Sequence, residues 1–195
     1  VLFFFKPDQF VTLELEIDNQ PIMRSYTISS SPSIPYSFSI TVKQVPGGKV
    51  SNWLHANLKV GDELVVHGPV GNFNSIDFPA EKVLFLSGGV GITPLMSMTR
   101  WLFDTNAAVD VEFIHSARAP RDVIYHRELV HMFSRIPEFK LHIICENKED
   151  IGEAWAGYRG YLTQPLFELI VPDFMEREIF CCGAANAAGT TGNED

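Results

Sequence analysis

The sequence has 195 residues, a length that fits one large domain or two small ones. Hydrophobic residues make up 46% of it and aromatic residues 12%, which is enough to build a sizeable core and argues against disorder. The formal net charge is −9 and no run of Lys or Arg occurs, so we predict no nucleic-acid partner.

The three cysteines, Cys145, Cys181 and Cys182, are an odd number with an adjacent pair. Such a set is not a disulfide framework and favours a reducing compartment. No apolar run reaches membrane-spanning length and no signal peptide is visible, so we predict a cytoplasmic protein without a membrane partner. Because Val1 is not a start methionine, we expect the sequence to be a piece of a longer protein.

The first part of the chain has the pattern of an all-β domain. Residues 10–18 alternate apolar and acidic side chains, which predicts a half-buried strand, and residues 18–21 predict a turn. Further predicted elements, in chain order, are strands at 24–30 and 36–42, a short helix at 50–58 capped by Ser51, and a strand at 63–67. Short strands at this spacing are typical of a barrel or sandwich.

The character of the sequence changes near Asp77, where strands begin to alternate with helices. The predicted strands are 83–86, 109–114, 141–145 and 179–182, and the predicted helices are 93–103, 126–135 and 165–170, the last capped by Thr163. This alternation predicts a parallel sheet with helical crossovers. The predicted fold class is therefore two domains, an antiparallel β-barrel over residues 1–78 and an α/β parallel-sheet domain over residues 79–195. We expect residues 189–195 to be mobile, because they are polar and contain glycine.

A glycine-rich turn, Ser-Gly-Gly-Val-Gly-Ile-Thr-Pro at residues 87–94, follows a buried strand and opens a helix. Glycines let a phosphate approach the backbone closely, and a helix N-terminus supplies free N–H groups and positive potential. Pro94 stands where the usual dinucleotide fingerprint has its third glycine, and proline suits a first helical turn. A glycine turn without a ligand fits this motif about equally well.

Three other segments have alternatives that the residues alone leave open. Arg24 and Tyr26 share one strand face, where they could bind a phosphate and stack on a planar ring, but an ordinary barrel strand fits better. Residues 47–51, Gly-Gly-Lys-Val-Ser, could bind a phosphate through backbone N–H groups or form a simple turn before a capped helix. Cys182 ends an apolar strand where α/β sheets bind ligands, although free cysteines are more often structural.

The sequence lacks the residue patterns typical of metal sites and of one class of hydrolase. The six histidines have no metal-ligand spacing, so we predict no metal site. No Gly-x-Ser-x-Gly elbow occurs, which argues against that class of hydrolase.

The order of these motifs is more specific than any one of them. Arg-Ser-Tyr-Thr at 24–27, Gly-Gly-Lys-Val-Ser at 47–51, Gly-Pro-Val-Gly-Asn-Phe at 68–73, Gly-Val-Gly-Ile-Thr-Pro at 89–94 and Cys-Gly at 182–183 together resemble the ferredoxin–NADP reductase superfamily. Within it, the chain looks most like the reductase components of Rieske-type oxygenases. The four-cysteine pattern of their iron–sulfur domain is absent from this sequence.

The resemblance implies roles for individual residues. It implies that FAD or FMN is bound by Arg24 at the phosphate, Tyr26 on the ring and Thr27 near the ring nitrogen N5, with the backbone of Ile40 and Val42 at the ring edge. The glycine loop at 47 offers a second phosphate site, which favours FAD. The other implied cofactor-binding residues are Gly48, Lys49, Val50 and Ser51 at the pyrophosphate, Phe73 by the flavin or adenine, and Gly89, Gly91, Thr93, Cys182 and Gly183 for NADH or NADPH. The residues expected at the reacting centre are Tyr26, Thr27 and Cys182.

The implied activity is a hydride relay from NAD(P)H to flavin, followed by release of single electrons to an iron–sulfur partner such as a ferredoxin or an oxygenase component. Two alternatives are a reductase module of another electron-transfer chain and a non-catalytic nucleotide-binding module with the same fold. Three departures from the family bear on this choice. Asp8 stands at a usual glycine, the barrel's first strand is truncated, and residues 184–195 are small and polar where the family has proline and an apolar helix.

The preferred nicotinamide is a separate question. Ser116 and Arg118 follow the predicted strand 109–114, at the end that faces the adenosine ribose in a dinucleotide fold, and they could bind a 2′-phosphate. Arg118 could equally be a solvated loop charge. Oxygenase reductases mostly use NADH, and on that resemblance we expect NADH to work at least as well as NADPH.

Overall fold

The first sheet forms where the sequence alternates apolar and polar residues. In a computed structural model, which describes residues 2–146 and 155–183, strands β1 (Phe10–Ile17), β2 (Gln20–Thr27) and β3 (Val65–Val70) form an antiparallel sheet in the order β2-β1-β3. Asp18 and Asn19 make the β1–β2 turn, both with φ of 56°, the left-handed conformation that two-residue hairpin turns require.

One face of this sheet is closed by a helix. Leu13, Leu15 and Ile17 of β1 pack against Val50 and Leu54 of helix α1 (Lys49–Asn57), and all five side chains are buried. The alternation of apolar residues along β1 therefore forms one half of a core, and the spacing of four residues along α1 forms the other.

Two predictions in this part of the chain were wrong. Residues 36–42 do not form a strand, and their only ladder contact in the described structure is an isolated bridge between Ile28 and Ile40. The amide of Ser39 donates to the Ser30 hydroxyl at 2.9 Å, and side-chain bonds of this kind compete with ladder bonds. Ser51 does not cap α1 either, because the helix begins at Lys49 with Gly48 at its N-cap, which places Ser51 inside the first turn.

The second part of the chain is a parallel sheet covered by helices. The order is β7-β6-β5-β4-β8, with β4 at Lys82–Gly88, β5 at Asp110–Ala117, β6 at Phe139–Cys145, β7 at Tyr158–Arg159 and β8 at Glu178–Cys182. Helices α2 (Ile92–Asp104) and α3 (His126–Arg135) bury Met96 and Leu129 against Phe85 and Phe113 of the sheet. Helix α4 (Gln164–Ile170) packs with the buried Leu84 and Ile114 on the opposite face.

The predicted fold class is confirmed, with small differences in the elements. Strand β5 continues through Ala117, so Ser116 belongs to the strand and not to the loop after it. The two-residue strand β7 was not predicted, because two residues carry no periodic signal. Thr163 caps α4 as expected, its hydroxyl accepting from the amide of Leu166 at 3.4 Å. Residues 184–195, which carry the predicted mobile tail and the departure after Gly183, lie outside the described residues.

In the described ranges, no helix combines the length and the apolarity needed to cross a membrane.

Candidate functional site

A cleft of about 530 Å³ lies at the carboxyl end of the parallel sheet, against strand β2 and the start of α1. It brings together segments that are far apart in the sequence. Its lining residues are Arg24, Ser25, Tyr26, Thr27, Thr41, Lys43, Val45, Gly48, Lys49, Val50, Ser51, Val90, Gly91, Thr93, Pro94 and Cys182. We call this the flavin-side cleft. The carboxyl ends of parallel strands are where open α/β sheets bind ligands.

Strand β2 supplies one wall of the flavin-side cleft. Tyr26 packs against the core of the first sheet, and this burial raises the pKa of its phenol although the nearby Arg24 lowers it. The exposed guanidinium of Arg24 has no ion pair among the described residues, so it is free to meet an anion in the cleft. Thr27, at the end of β2, completes this wall.

The side chains of Ile40 and Val42, which were expected beside the flavin ring through their backbone, do not line the cleft. Ile40 and Val42 point into the core of the first sheet, and the alternate residues Thr41 and Lys43 line the cleft. Alternation along extended backbone explains this, since successive side chains face opposite sides. The backbone role expected of Ile40 and Val42 stays a prediction. Thr41 and Lys43 were missed, and the signal for both was their alternation with Ile40 and Val42.

Helix α1 points its N-terminus at the cleft. Gly48 is its N-cap and supplies no side chain to bond the first N–H groups, which have no partner within a helix. Asn52 fixes this turn by donating to the carbonyls of Gly48 at 2.6 Å and Val45 at 2.9 Å. The amide of Val45 donates to the Ser51 hydroxyl at 3.2 Å. The ammonium of Lys49 lies 3.0 Å from the Asp18 carboxylate, in an ion pair that is exposed to solvent.

The glycine-rich turn fits tightly against the end of β8. A Cβ on Gly91 would lie 2.5 Å from the Cys182 carbonyl oxygen, and one on Gly183 would lie 2.9 Å from the Gly88 nitrogen. Gly89 has φ of +54° and open space beside it, so the backbone conformation, and not crowding, favours glycine at this position. Thr93 bonds back to the Val90 carbonyl at 3.2 Å, which holds the turn at the start of α2.

Cys182 lies where two cavities meet. Its side chain lines the flavin-side cleft, whereas that of Cys181 is exposed on the other face of β8. Burial raises the pKa of the Cys182 thiol, and the nearby Asp8 and Cys181 raise it further, so the thiol is neutral at physiological pH. It therefore offers a small, weakly polar surface rather than a thiolate nucleophile. Cys145 is buried in the core.

A second cavity of about 600 Å³ lies on the far side of the glycine turn. We call it the nicotinamide-side cleft. It shares four residues with the first cleft, Lys43, Val90, Gly91 and Cys182, and continues along Gly88, Gly89, Ser116, Ala117, Arg118, Asp122, Glu146, Tyr161 and Gly183. Ser116 is buried and Arg118 is exposed.

Two carboxylates in the nicotinamide-side cleft were missed by the sequence reasoning. Asp122 lies in the loop after β5, and Glu146 directly follows β6. Both carboxylates lie near Cys145 and, together with its burial, raise the pKa of that thiol to about 11. The sequence placed Glu146 directly after a predicted strand but did not show that this strand pairs with β5.

Phe73 lines neither cleft. Its ring packs edge-on against Phe180 of β8, with ring centroids 5.4 Å apart, so its described contact is with the parallel sheet. The remaining predicted site residues all line one or both clefts, apart from the core residues Ile40 and Val42.

The combined clefts fit a flavin and a nicotinamide dinucleotide. Uncapped helix N–H groups and the unpaired Arg24 suit phosphates, and the glycine turn gives close access to backbone between the two cavities. Across the described ranges, no group of three or more His, Cys, Asp or Glu side chains is arranged to hold a metal ion.

Comparison with known proteins defines the class. Residues 3–75 match the family described as Oxidoreductase FAD-binding domain, and residues 85–191 match the family described as Oxidoreductase NAD-binding domain. The chain belongs to these FAD- and NAD-binding oxidoreductases, the ferredoxin reductase type that the motif order had indicated.

Particular relatives narrow the class. The chain is 75% identical over 183 residues to the glycine betaine monooxygenase reductase subunit of Chromohalobacter salexigens, covering 94% of this chain and 50% of that protein. It is 43% identical to the stachydrine N-demethylase reductase subunit Stc4 of Rhizobium meliloti, covering 93% and 51%. A ferredoxin NADP+ reductase from Neisseria gonorrhoeae shares the fold, with a TM-score of 0.72, 20% identity, and coverage of 95% and 76%. The chain spans about half the length of the curated relatives it matches.

Proposed function

We propose that this chain is the flavin- and nicotinamide-binding part of an oxygenase reductase, which takes a hydride from NAD(P)H and delivers single electrons to an iron–sulfur partner. The observation that carries the proposal is the pair of clefts that meet at Gly91 and Cys182. Two relatives described as reductase subunits of a monooxygenase and of an N-demethylase support the oxygenase context. The domain boundary that we propose lies between residues 78 and 79.

The chain's own residues would bind and orient the two cofactors. Arg24 and the N–H groups of residues 49–51 would bind the flavin's phosphates, and Tyr26 and Thr27 would flank its ring. The turn from Gly89 to Gly91 would let the nicotinamide reach that ring without an intervening side chain. When bound, the flavin supplies the two-electron to one-electron conversion. Because this chemistry belongs to the cofactors, the clefts need no catalytic acid or base.

The first test is a steady-state assay with NADH and ferricyanide, which needs no iron–sulfur partner. We expect turnover that depends on added FAD when the protein is stripped of flavin. The Arg24→Ala variant should bind FAD more weakly by about 1.5–3 kcal/mol, the size of a lost hydrogen bond to a charged group. A protein that binds both cofactors yet gives no turnover would instead be the non-catalytic nucleotide-binding module.

We also propose that NADH is preferred over NADPH. Asp122 and Glu146 in the nicotinamide-side cleft would repel a 2′-phosphate and accept hydrogen bonds from ribose hydroxyls. We therefore expect kcat/KM for NADH to exceed that for NADPH, and Glu146→Gln to narrow the difference. A large NADPH preference that disappears in Arg118→Ala would show that Ser116 and Arg118 bind a 2′-phosphate, and would contradict this choice.

The partner and the location of the protein follow from the same proposal. An iron–sulfur acceptor, either a ferredoxin domain or an oxygenase component, would be reduced by the flavin. Free cysteines at 145, 181 and 182 suit the reducing cytoplasm, where we propose that the protein resides. Co-purification of the gene's full product with an iron–sulfur protein from the cytoplasmic fraction tests both points, and recovery from an oxidising compartment would contradict the second.

A further inference from the structure

One stripe of helix α2 is bonded to the first domain. Ser97, Arg100 and Asp104 are spaced three and four residues apart, so they share one face of the helix. All three contact residues 29–33, which we call the serine segment. Ser97 donates to the Ser30 carbonyl at 2.7 Å, Arg100 donates to the Ser29 carbonyl, and Asp104 accepts from the Ser33 hydroxyl.

Arg100 is the centre of these contacts. Its guanidinium donates two hydrogen bonds to Glu128 of α3, each 2.7 Å long, and lies 4.6 Å from the centroid of the Tyr125 ring. Its side chain is only 19% exposed. The Tyr125 hydroxyl is in turn hydrogen-bonded to Thr41 of the first domain. A bidentate pair with a carboxylate fixes the plane of the guanidinium, and this orientation aims Nη1 at the Ser29 carbonyl.

The segment that Arg100 holds leads directly to the flavin-side cleft. Ser29 follows Thr27, a cleft residue, by two positions, and its amide donates to the Ser39 carbonyl at 2.8 Å. Its hydroxyl is 3.0 Å from that of Thr41, which lines the same cleft. Ser29 therefore joins the two strand-like pieces that form the first domain's side of the cleft.

The same helix forms the opposite side of the flavin-side cleft. Thr93 and Pro94, in the first turn of α2, line it, and Arg100 lies about two turns further along. Because a helix is rigid over this length, a bond from Arg100 to Ser29 sets the spacing between the two sides of the cleft.

A third cavity of about 560 Å³ borders Arg100, but its charges are already paired. Arg100 is already bonded to Glu128 and Ser29, and Tyr125 to Thr41. A ligand there would have to break these bonds, so the cluster is a connection between the domains rather than a binding site.

We propose that Arg100 is a positioning residue for transfer between the two cofactors. It holds the serine segment against α2 and α3, and so sets the distance from Tyr26 and Thr27 to the glycine turn, without touching either cofactor. This inference rests on the proposed function. Small misplacements are costly for such transfer, because a shift of about 1 Å from a distant mutation can cost on the order of a hundredfold in rate.

The test compares Arg100→Met with Arg127→Met in the flavin-loaded protein. Both remove one positive charge, but Arg127 lies exposed on α3 and makes none of these contacts. Hydrogen exchange of residues 28–41 reports the connection without any turnover. Stopped-flow reduction by saturating NADH and the FAD dissociation constant report its consequence. We also expect Arg100→Lys, which keeps the charge beside Glu128, to recover part of the lost rate.

We expect Arg100→Met to exchange faster over residues 28–41 and to be reduced more slowly, by up to about a hundredfold, with unchanged FAD affinity. The proposal would be overturned if Arg100→Met had the same hydrogen-exchange rates and the same flavin reduction rate as Arg127→Met. It would also be overturned if hydrogen exchange became faster while the flavin reduction rate stayed unchanged. If Arg100→Met does not fold, Ser97→Ala decides by the same criteria. Wild-type protein that NADH does not reduce would count against the proposed function, while the exchange data would still report the connection.

Discussion

The Cys182 thiol lies at the shared border of the two clefts, and it is neutral. Burial raises its pKa, so it cannot act as a thiolate, and its contribution must come from its size and weak polarity. Cys181 provides a comparison within the same strand, because it carries the same chemistry on the exposed opposite face.

Replacing Cys182 with Ala should therefore slow NADH-dependent flavin reduction more than it weakens FAD binding. Stopped-flow rates and FAD titrations measure the two effects. Cys181→Ala is the matched control, and we expect it to leave both unchanged. Equal reduction rates in the two variants would show that Cys182 has only a structural role.

The stability of the folded protein should depend on pH through the carboxyl group of Asp8. Burial raises the pKa of its carboxyl from 3.8 to about 7 in the folded protein. The folded state thus binds this proton more tightly than the unfolded state, so Asp8's contribution to stability declines as pH rises from about 4 through about 7. The Asp8→Asn variant keeps a residue tolerated at its φ of 75°.

We expect Asp8→Asn to be more thermally stable than wild type above about pH 8 and nearly equal to it near pH 4, where wild-type Asp8 is protonated. Melting temperatures measured at the two pH values check this. The same difference at both values would mean that the carboxyl does not titrate in this range.

The positions of the predicted glycines and of Thr93 at the clefts followed from the order of the motifs in the chain. Glycine marks a close approach of backbone whatever surrounds it, so these positions were easier to predict than the direction of a side chain. Side-chain direction was harder. Thr41 and Lys43 line the cleft because they alternate with the core residues Ile40 and Val42, but the sequence did not show which element that face would meet.

Among the elements, the glycine turn is the most constrained. Gly91 has ordinary backbone dihedrals, so only crowding forbids a side chain, whereas Gly89 is open but has positive φ. Gly91→Ala must push the glycine turn away from the end of β8, and we expect a loss of about 1–3 kcal/mol in stability, typical of overpacking. Gly89→Ala should cost about 1–2 kcal/mol through backbone conformation alone.

The two variants should differ in function more than in stability. Chemical unfolding measures stability, and the NADH concentration needed for half-maximal flavin reduction measures function. We expect Gly91→Ala to raise that concentration more, because it displaces the border between the clefts. If Gly89→Ala raised the NADH concentration more than Gly91→Ala does, crowding at Gly91 would not be what shapes the border between the clefts.

Most helices and strands could be predicted because their apolar residues recur with a clear period. The bounds of α3 were predicted to the residue, and β1 and α2 to within a residue or two. Carboxylates such as Glu146 were missed for a different reason. They become part of the site only when β5 and β6 pair, and a single sequence does not show which strands are neighbours.

At the scale of the whole molecule, the two domains are joined by specific bonds that position both clefts. Arg100 and Ser97 of the second domain hold the serine segment of the first, and Tyr125 bonds Thr41. The order of motifs along the sequence indicated the two domains. It could not indicate these bonds, because they depend on how the domains pack.

The most direct test of the account is an anaerobic titration of the purified protein with NADH, followed by its visible spectrum. We predict yellow protein whose heat-released cofactor is FAD, and bleaching of the flavin absorbance by about one equivalent of NADH, since each nicotinamide transfers one hydride. Protein that binds no flavin after reconstitution, or bound FAD whose spectrum NADH leaves unchanged, would contradict the central claim.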